Sequence, residues 1–152
     1  MHKFIYHAPC CSLLLQFNDQ HQLQKIDWLQ QQSITQPKLT GQWAHKLDAY
    51  FAGELQNFDY PPSSAGTPFQ QKVWQAIAQI PYGKVASYGD IARIIGSAPR
   101  AIGQACGRNP LPIIIPCHRV VSAQGLGGFS LGKRDFELSI KRWLLSHERA
   151  IW

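Results

Sequence analysis

Short apolar bursts open the chain, at residues 4–6, 13–17 and 23–29, separated by polar or turn-forming residues such as Asn18 and Asp19. That is the spacing of strands in a small antiparallel sheet. The polar, glutamine-rich stretch over residues 30–40 reads as a surface connection. Trp43, Leu47, Tyr50 and Phe51 then recur at helical spacing, which predicts a helix over about 42–52 that stops at Gly53. Pro61, Pro62, Ser63, Ser64 and Gly66 break the pattern. A domain boundary is expected there, dividing residues 1–62 from 63–152.

Beyond the boundary the period is mostly helical. Phe69, Val73, Ile77 and Ile80 share one face of a helix that ends at Pro81-Tyr82-Gly83. Ser87 predicts the N-cap of the next helix, with Asp90 as its capping-box partner. Ile91, Ile94 and Ile95 supply the buried stripe, and Gly96 is the stop. Ser97-Ala98-Pro99 leads into a second helix, Arg100-Ala101-Ile102-Gly103-Gln104-Ala105-Cys106-Gly107, that is poor in large side chains. Two short helices joined by a tight turn make a helix-turn-helix candidate. A close-packed helix pair without a ligand is the other reading. The last helix carries Phe136, Ile140, Trp143 and Leu144 on one face and closes at Ser146-His147-Glu148. The fold class expected is α+β: a small N-terminal α/β domain (antiparallel sheet plus helix), then a mostly helical C-terminal domain with a helix-turn-helix.

Composition narrows the class. At 152 residues, 45% hydrophobic and 16% charged, the chain can bury a core and is too apolar to be disordered. No apolar run approaches the roughly 20 residues of a membrane helix, and no signal peptide is evident, so a cytoplasmic protein without membrane attachment is expected. Residues 1–70 carry 4 Lys+Arg against 5 Asp+Glu, and residues 71–152 carry 11 against 4, so the formal charge of +6 sits in the second half. A polyanion such as nucleic acid is one partner this suits; a surface kept basic for solubility is the alternative. Cys10, Cys11, Cys106 and Cys117 form no CxxC pair, and their count suits reduced thiols. His2, His7, Cys10, Cys11 and His21 match no common ligand spacing, so no metal and no cofactor are expected.

The chemistry gathers at Cys117. It follows Pro116, and His118 and Arg119 come directly after it, a cationic neighbourhood that favours thiolate. As a dipeptide alone, Cys-His fits a buried inert cysteine better. The longer string, Asn109-Pro110-Leu111-Pro112-Ile113-Ile114-Ile115-Pro116-Cys117-His118-Arg119-Val120-Val121, resembles the active-site segment of the O6-alkylguanine-DNA alkyltransferases. The resemblance extends through Gly66-Thr67-Pro68-Phe69-Gln70, Val73-Trp74, Ile80-Pro81-Tyr82-Gly83 and Ser87-Tyr88-Gly89. Downstream it takes in Gly128-Phe129-Ser130 and Lys141-Arg142-Trp143-Leu144-Leu145-Ser146-His147-Glu148.

The resemblance implies an irreversible, single-use transfer of an alkyl group from O6-alkylguanine, and in some members O4-alkylthymine, to Cys117. His118 would take the thiol proton through a water, Glu148 would orient the imidazole, and Asn109 would hold the surrounding turn. Tyr88, Ser130, Cys106 and Val120 would form the base pocket. Arg100, Ala101, Gly103, Gln104 and Arg119 would face DNA, with Arg100 filling the gap left by a flipped nucleotide and the small-residue helix in the minor groove. The implied partner is double-stranded DNA carrying the lesion, bound by a monomer. Against the family pattern, the loop at Ser97-Ala98-Pro99 is short, residues 133–139 are extra, and Cys106 replaces a commonly larger pocket wall. The rival within the superfamily is a non-catalytic sensor of alkylated DNA, in which the nucleophile is replaced; a helix-turn-helix transcription factor and a thiol hydrolase leave the active-site string unexplained.

Overall fold

A computed structural model describes residues 1–30, 35–59, 65–126 and 134–152, without the side chain of Arg134. The three N-terminal strands, β1 (His2–His7), β2 (Ser12–Phe17) and β3 (Leu23–Leu29), form an antiparallel sheet in that order. Alternation sets its two faces: Leu13, Leu15 and Phe17 are buried, whereas Leu14 and Gln16 are only half so. Helix α1 (Gln42–Phe51) closes over the sheet with Ala44, Leu47 and Tyr50. The stretch expected as a surface connection is partly structural. Ile5 N donates to Pro37 O at 2.9 Å and Leu39 N to Ile5 O at 2.7 Å, so this segment runs beside β1 and buries Leu39. The unpaired edge of β1 demands such partners, a need invisible in a polar stretch.

The second half begins with α2 (Pro68–Ala78), whose capping box joins Thr67 and Gln70 and whose first position is proline. Its buried Trp74 donates from Nε1 to Ala105 O at 2.9 Å. Next come β4 (Ala86–Ser87), α3 (Tyr88–Ile95) and α4 (Pro99–Gly107). Ser87 and Asp90 form the expected capping box, and Gly96 ends α3 in the left-handed conformation at φ 79°. Ile94 departs from expectation: it is 72% exposed. Ile91, Ala92 and Ile95 define the inward arc, and Ile94 lies roughly 100° from its centre at 100° per residue. A 3₁₀ turn, Cys117–Arg119, leads into β5 (Val120–Val121), which pairs in parallel with β4 through Ala86–Val120 and Ser87–Val121. Helix α5 (Arg134–His147) ends the fold, and Arg134 to Ser139, within the stretch expected as extra, form its opening.

One buried cluster runs from Leu13 and Leu47 through Trp74 and Ile102 to Leu144. The two halves therefore share a core, and the segment bearing the expected boundary lies mostly outside the described residues. Ile26 N also donates to Pro110 O at 2.8 Å, tying β3 to the segment before the cysteine. Gly66 marks the entrance to α2. Its φ is +85°, and a Cβ there would stand 2.5 Å from Trp74 Cη2 and 2.6 Å from Cζ3. Gly66→Ala should destabilise the protein by about 1–3 kcal/mol, through backbone strain and displacement of a fully packed indole. A melting temperature equal to the parent's would overturn this.

Candidate active site

The residues before Cys117 form a stiff, dry loop. Leu111, Ile113, Ile114 and Ile115 are all at least 96% buried, and Pro112 and Pro116 fix their own φ. Ile115 N donates to Leu111 O at 2.8 Å, and Ile113 between them adopts φ +77°. A β-branched residue there is rare and costs about 1–3 kcal/mol. Asn109 braces the loop from inside: Oδ1 accepts from Leu111 N at 2.9 Å, and Nδ2 donates to Ile115 O at 2.8 Å and to Cys117 Sγ at 3.2 Å.

Cys117 is a free cysteine, 3% exposed, whose thiol shares a hydrogen bond with that of Cys106. Burial pushes its pKa well up, and Cys106 adds to this; the bond from Asn109 and the charge of Lys141 pull the other way and lose. The cationic neighbourhood read from His118 and Arg119 therefore does not make a resting thiolate. Sequence reading left Lys141 without a role, yet it is fully buried. Its Nζ donates to Val120 O at 2.6 Å and sits 5.8 Å from the Tyr88 ring centroid, and burial lowers its pKa to about 8. Its clue was its place between Ile140 and Leu144 on α5.

His118 is fully buried, and its Nε2 lies 2.8 Å from Glu148 Oε2. Because a carboxylate only accepts, Nε2 carries the proton. Nδ1 is buried with no hydrogen-bond partner among the described residues. Burial lowers the His118 pKa despite Glu148. Burial would raise that of Glu148, but the bonds and charges of His118 and Arg119 outweigh it and hold the carboxyl well below its usual range. The pair thus rests as neutral imidazole and carboxylate.

Arg119 corrects an expectation. It is 4% exposed, with Nε on Glu148 Oε1 at 2.8 Å, Nη2 on Oε2 at 3.0 Å and Nη1 on Ile80 O at 2.8 Å. Its donors are committed inside, so it does not face DNA; a bidentate guanidinium is the partner a buried carboxylate requires. A fourth donor to Glu148 was also unforeseen: Tyr50 Oη, at 2.6 Å from Oε2. Of the remaining site residues, half-buried Tyr88 and buried Cys106 and Val120 adjoin Cys117, and Ser130 lies outside the described residues. Arg100 and Gln104 are exposed on α4, with Ala101 and Gly103 half-buried beside them. A Cβ at Gly103 would meet only Tyr88 Cε1, at 4.0 Å, so packing within the chain does not demand glycine there.

Fold and site together define a protein with a buried thiol, Cys117, followed directly by a histidine that is paired with a buried carboxylate. A family model described as 6-O-methylguanine DNA methyltransferase, DNA binding domain, matches residues 68–150. The constitutive methylated-DNA–protein-cysteine methyltransferase of Bacillus subtilis is 48% identical over 130 residues, 82% of this chain and 76% of that protein. A Methanosarcina barkeri protein of the same name is 39% identical across 97% of both chains. The crystal structure of Mycobacterium tuberculosis OGT in complex with DNA superposes with a TM-score of 0.81 at 38% identity, covering 99% of this chain and 95% of that one. The chain belongs to the methylated-DNA–protein-cysteine methyltransferase family.

The relay sets an acid limit on stability. His118 and Glu148 both hold protons less tightly when folded than the ordinary values of about 6.5 and 4.3 that apply to the unfolded chain. The unfolded state therefore gains protons first as pH falls, and stability drops with acidification. Melting temperature should begin to fall as pH passes below about 6.5 and fall more steeply below about 4.5. His118→Gln should remove the first decline, measured by calorimetry across pH 8 to 4; an unchanged slope between pH 6.5 and 5 would contradict the assignment.

Proposed function

We propose that this protein repairs alkylated DNA by moving the alkyl group from O6 of guanine to its own Cys117. The observation that carries the reading is the buried Cys117 beside a His118 whose Nε2–H is held by Glu148 while its Nδ1 lone pair is unclaimed. In the resting state the sulfur keeps its proton. Nδ1 accepts it through a water, and Glu148 stabilises the imidazolium that results. The ammonium of Lys141 favours the thiolate thus formed. The sulfur then forms a bond to the alkyl carbon as the carbon–O6 bond breaks and its electron pair passes to the guanine. Burial and the nearby thiols raise the Tyr88 pKa, so its phenol stays protonated and can donate to the departing base. The product is a thioether, which does not hydrolyse, so each molecule reacts once.

Reaching the sulfur requires the base to leave the stack, because Cys117 is closed to a duplex. The exposed face of α4 supports that step: Arg100 at its start can replace the extruded nucleotide, and Ala101, Gly103 and Gln104 let the backbone approach the minor groove. The basic second half binds phosphates without reading sequence, as a lesion of random position needs. Residues 63–152 thus form the DNA-binding and acceptor domain, and residues 1–62 its N-terminal support. One chain supplies every group of the relay, which fits a monomer. A DNA substrate and free thiols fit work in the cytoplasm, and among the described residues no helix is long and apolar enough to cross a membrane. The sensor reading lacks support, since the acceptor and its relay are both present.

Incubation with DNA carrying a labelled O6-methyl group should label the protein in a single turnover, with peptide mapping placing the label on Cys117. Cys117→Ser should abolish transfer and leave DNA affinity nearly unchanged, because phosphate contacts dominate binding. Label on Cys10, Cys11 or Cys106, or none at all, would sink the reading.

Arg100→Ala should slow repair of a paired lesion more than repair of the same lesion in a single strand. Extrusion costs a few kcal/mol only when the base is stacked and paired. Arg100→Lys should recover phosphate affinity but only part of the rate, since an ammonium lacks the planar fork. Single-turnover rates at matched salt decide it: equal fractional losses on both substrates would reduce Arg100 to a phosphate contact.

A further inference from the structure

Among the described residues, the hydroxyl of Tyr50 is the one donor to Glu148 that comes from the N-terminal half, 98 residues away in sequence. Tyr50 is fully buried on α1. Its ring is held edge-on to Phe51 at 5.0 Å and to Tyr82 at 6.3 Å, and tilted against His147 at 5.2 Å and Phe58 at 5.6 Å. Its carbonyl accepts from His147 Nε2 at 2.9 Å, so one residue of α1 grips two consecutive residues at the end of α5. Phenylalanine would satisfy every ring contact. The hydroxyl has a different purpose, and its partner is the oxygen that also holds His118.

We propose that Tyr50 is a positioning residue for alkyl transfer: its hydroxyl fixes Glu148 Oε2 and limits how strongly that oxygen supports the His118 imidazolium. This rests on reading Cys117, His118 and Glu148 as the acceptor relay. Oε2 receives hydrogen bonds from His118 Nε2 at 2.8 Å, Arg119 Nη2 at 3.0 Å and Tyr50 Oη at 2.6 Å. Three donors compete for one oxygen, and each draws on the charge available to the others. Removing the shortest leaves more charge facing Nε2–H. The imidazolium then gains stability, and His118 takes its proton at a higher pH.

The other groups around the relay are in place to be held constant. His118 feels Glu148, Arg119 and Lys141. Tyr50 feels Glu148, Arg119 and Tyr82, and touches His147. Tyr82 feels Glu148, Arg119 and Arg149. Tyr50→Phe alters none of these side chains.

The experiment follows the ring nitrogens of His118 by ¹⁵N NMR in the DNA-free, full-length protein, alongside the pH–rate profile of single-turnover transfer from O6-methylguanine DNA. In Tyr50→Phe the His118 midpoint and the acid limb of the rate should both move up by about half a unit to one unit. Replacing Tyr50 with 3-fluorotyrosine, a stronger donor of the same shape, should move both down, and this arm stands even if the phenylalanine variant folds poorly. In a Glu148→Gln background Tyr50→Phe should produce no shift. A His118 midpoint that stays put in both the phenylalanine and fluorotyrosine proteins, or a rate lowered equally at every pH, would overturn the proposal. A shifted midpoint in a protein that never takes up methyl would uphold Tyr50's control of His118 and count against the alkyl-transfer reading instead.

Discussion

An ionised carboxylate that is 2% exposed costs several kcal/mol to keep dry unless donors surround it. Glu148 is surrounded: Arg119 grips both oxygens, while His118 and Tyr50 share Oε2. Those donors come from α1 and from the 3₁₀ turn that carries Cys117. Arg119 also holds Ile80 O, so the segment just after α2 joins the same assembly. The residue that follows α5 is thereby tied to α1 and to the cysteine turn by its charge, and through Arg119 to the segment after α2. Losing any donor would expose the cost of the charge, so the requirement for a dry carboxylate organises the fold around the relay.

The short parallel pair of β4 and β5 does comparable work on the other side. Ser87 caps α3 and also pairs with Val121, while Ala86 pairs with Val120 just after the cysteine turn. Helix α4, proposed to face DNA, packs on α3 and is pinned through Ala105 O to Trp74 of α2. Its own propensity is modest, with Gly103 and Gly107 among its residues. Its helicity thus depends on the core below it. Helix α4 and Cys117 are consequently held at a fixed spacing through the interior.

Local physics was legible in the sequence, and long-range pairing was not. The box Ser87–Asp90 joins residues three apart and is readable as such, as is the stop at Gly96, whereas the equally local Thr67–Gln70 box emerges only in the structure. The three strands and α5 declared themselves by period. The pairing of β4 with β5 is two residues long on each side and joins segments 34 residues apart, so no pattern announces it. Ile91, Ile94 and Ile95 fit one helical face by spacing, but the core covers the side centred between Ile91 and Ala92, which leaves Ile94 in solvent. At the site, the string around Cys117 pointed to the chemistry, but Arg119 looked like a surface cation because its partner lies 29 residues on. Tyr50 and Lys141 were hidden for the same reason: an aromatic and a lysine on helices are ordinary until the tertiary structure brings a carboxylate or a thiol beside them.

On the proposed reading, in which each molecule reacts once, the depth of Cys117 has a further meaning. A catalyst can tolerate an occasional side reaction, because turnover outnumbers accidents. A stoichiometric reagent cannot: every stray electrophile that reaches its sulfur removes one molecule from service for good. With 3% exposure and a pKa raised by burial, the sulfur waits in its least nucleophilic form, out of reach of small alkylators diffusing in solution. Cys10 and Cys11, half-buried at the tip of the first hairpin, have no such shelter and no such duty. Seclusion is thus what gives the acceptor its lifetime, and reactivity is deferred until the right base is delivered to it.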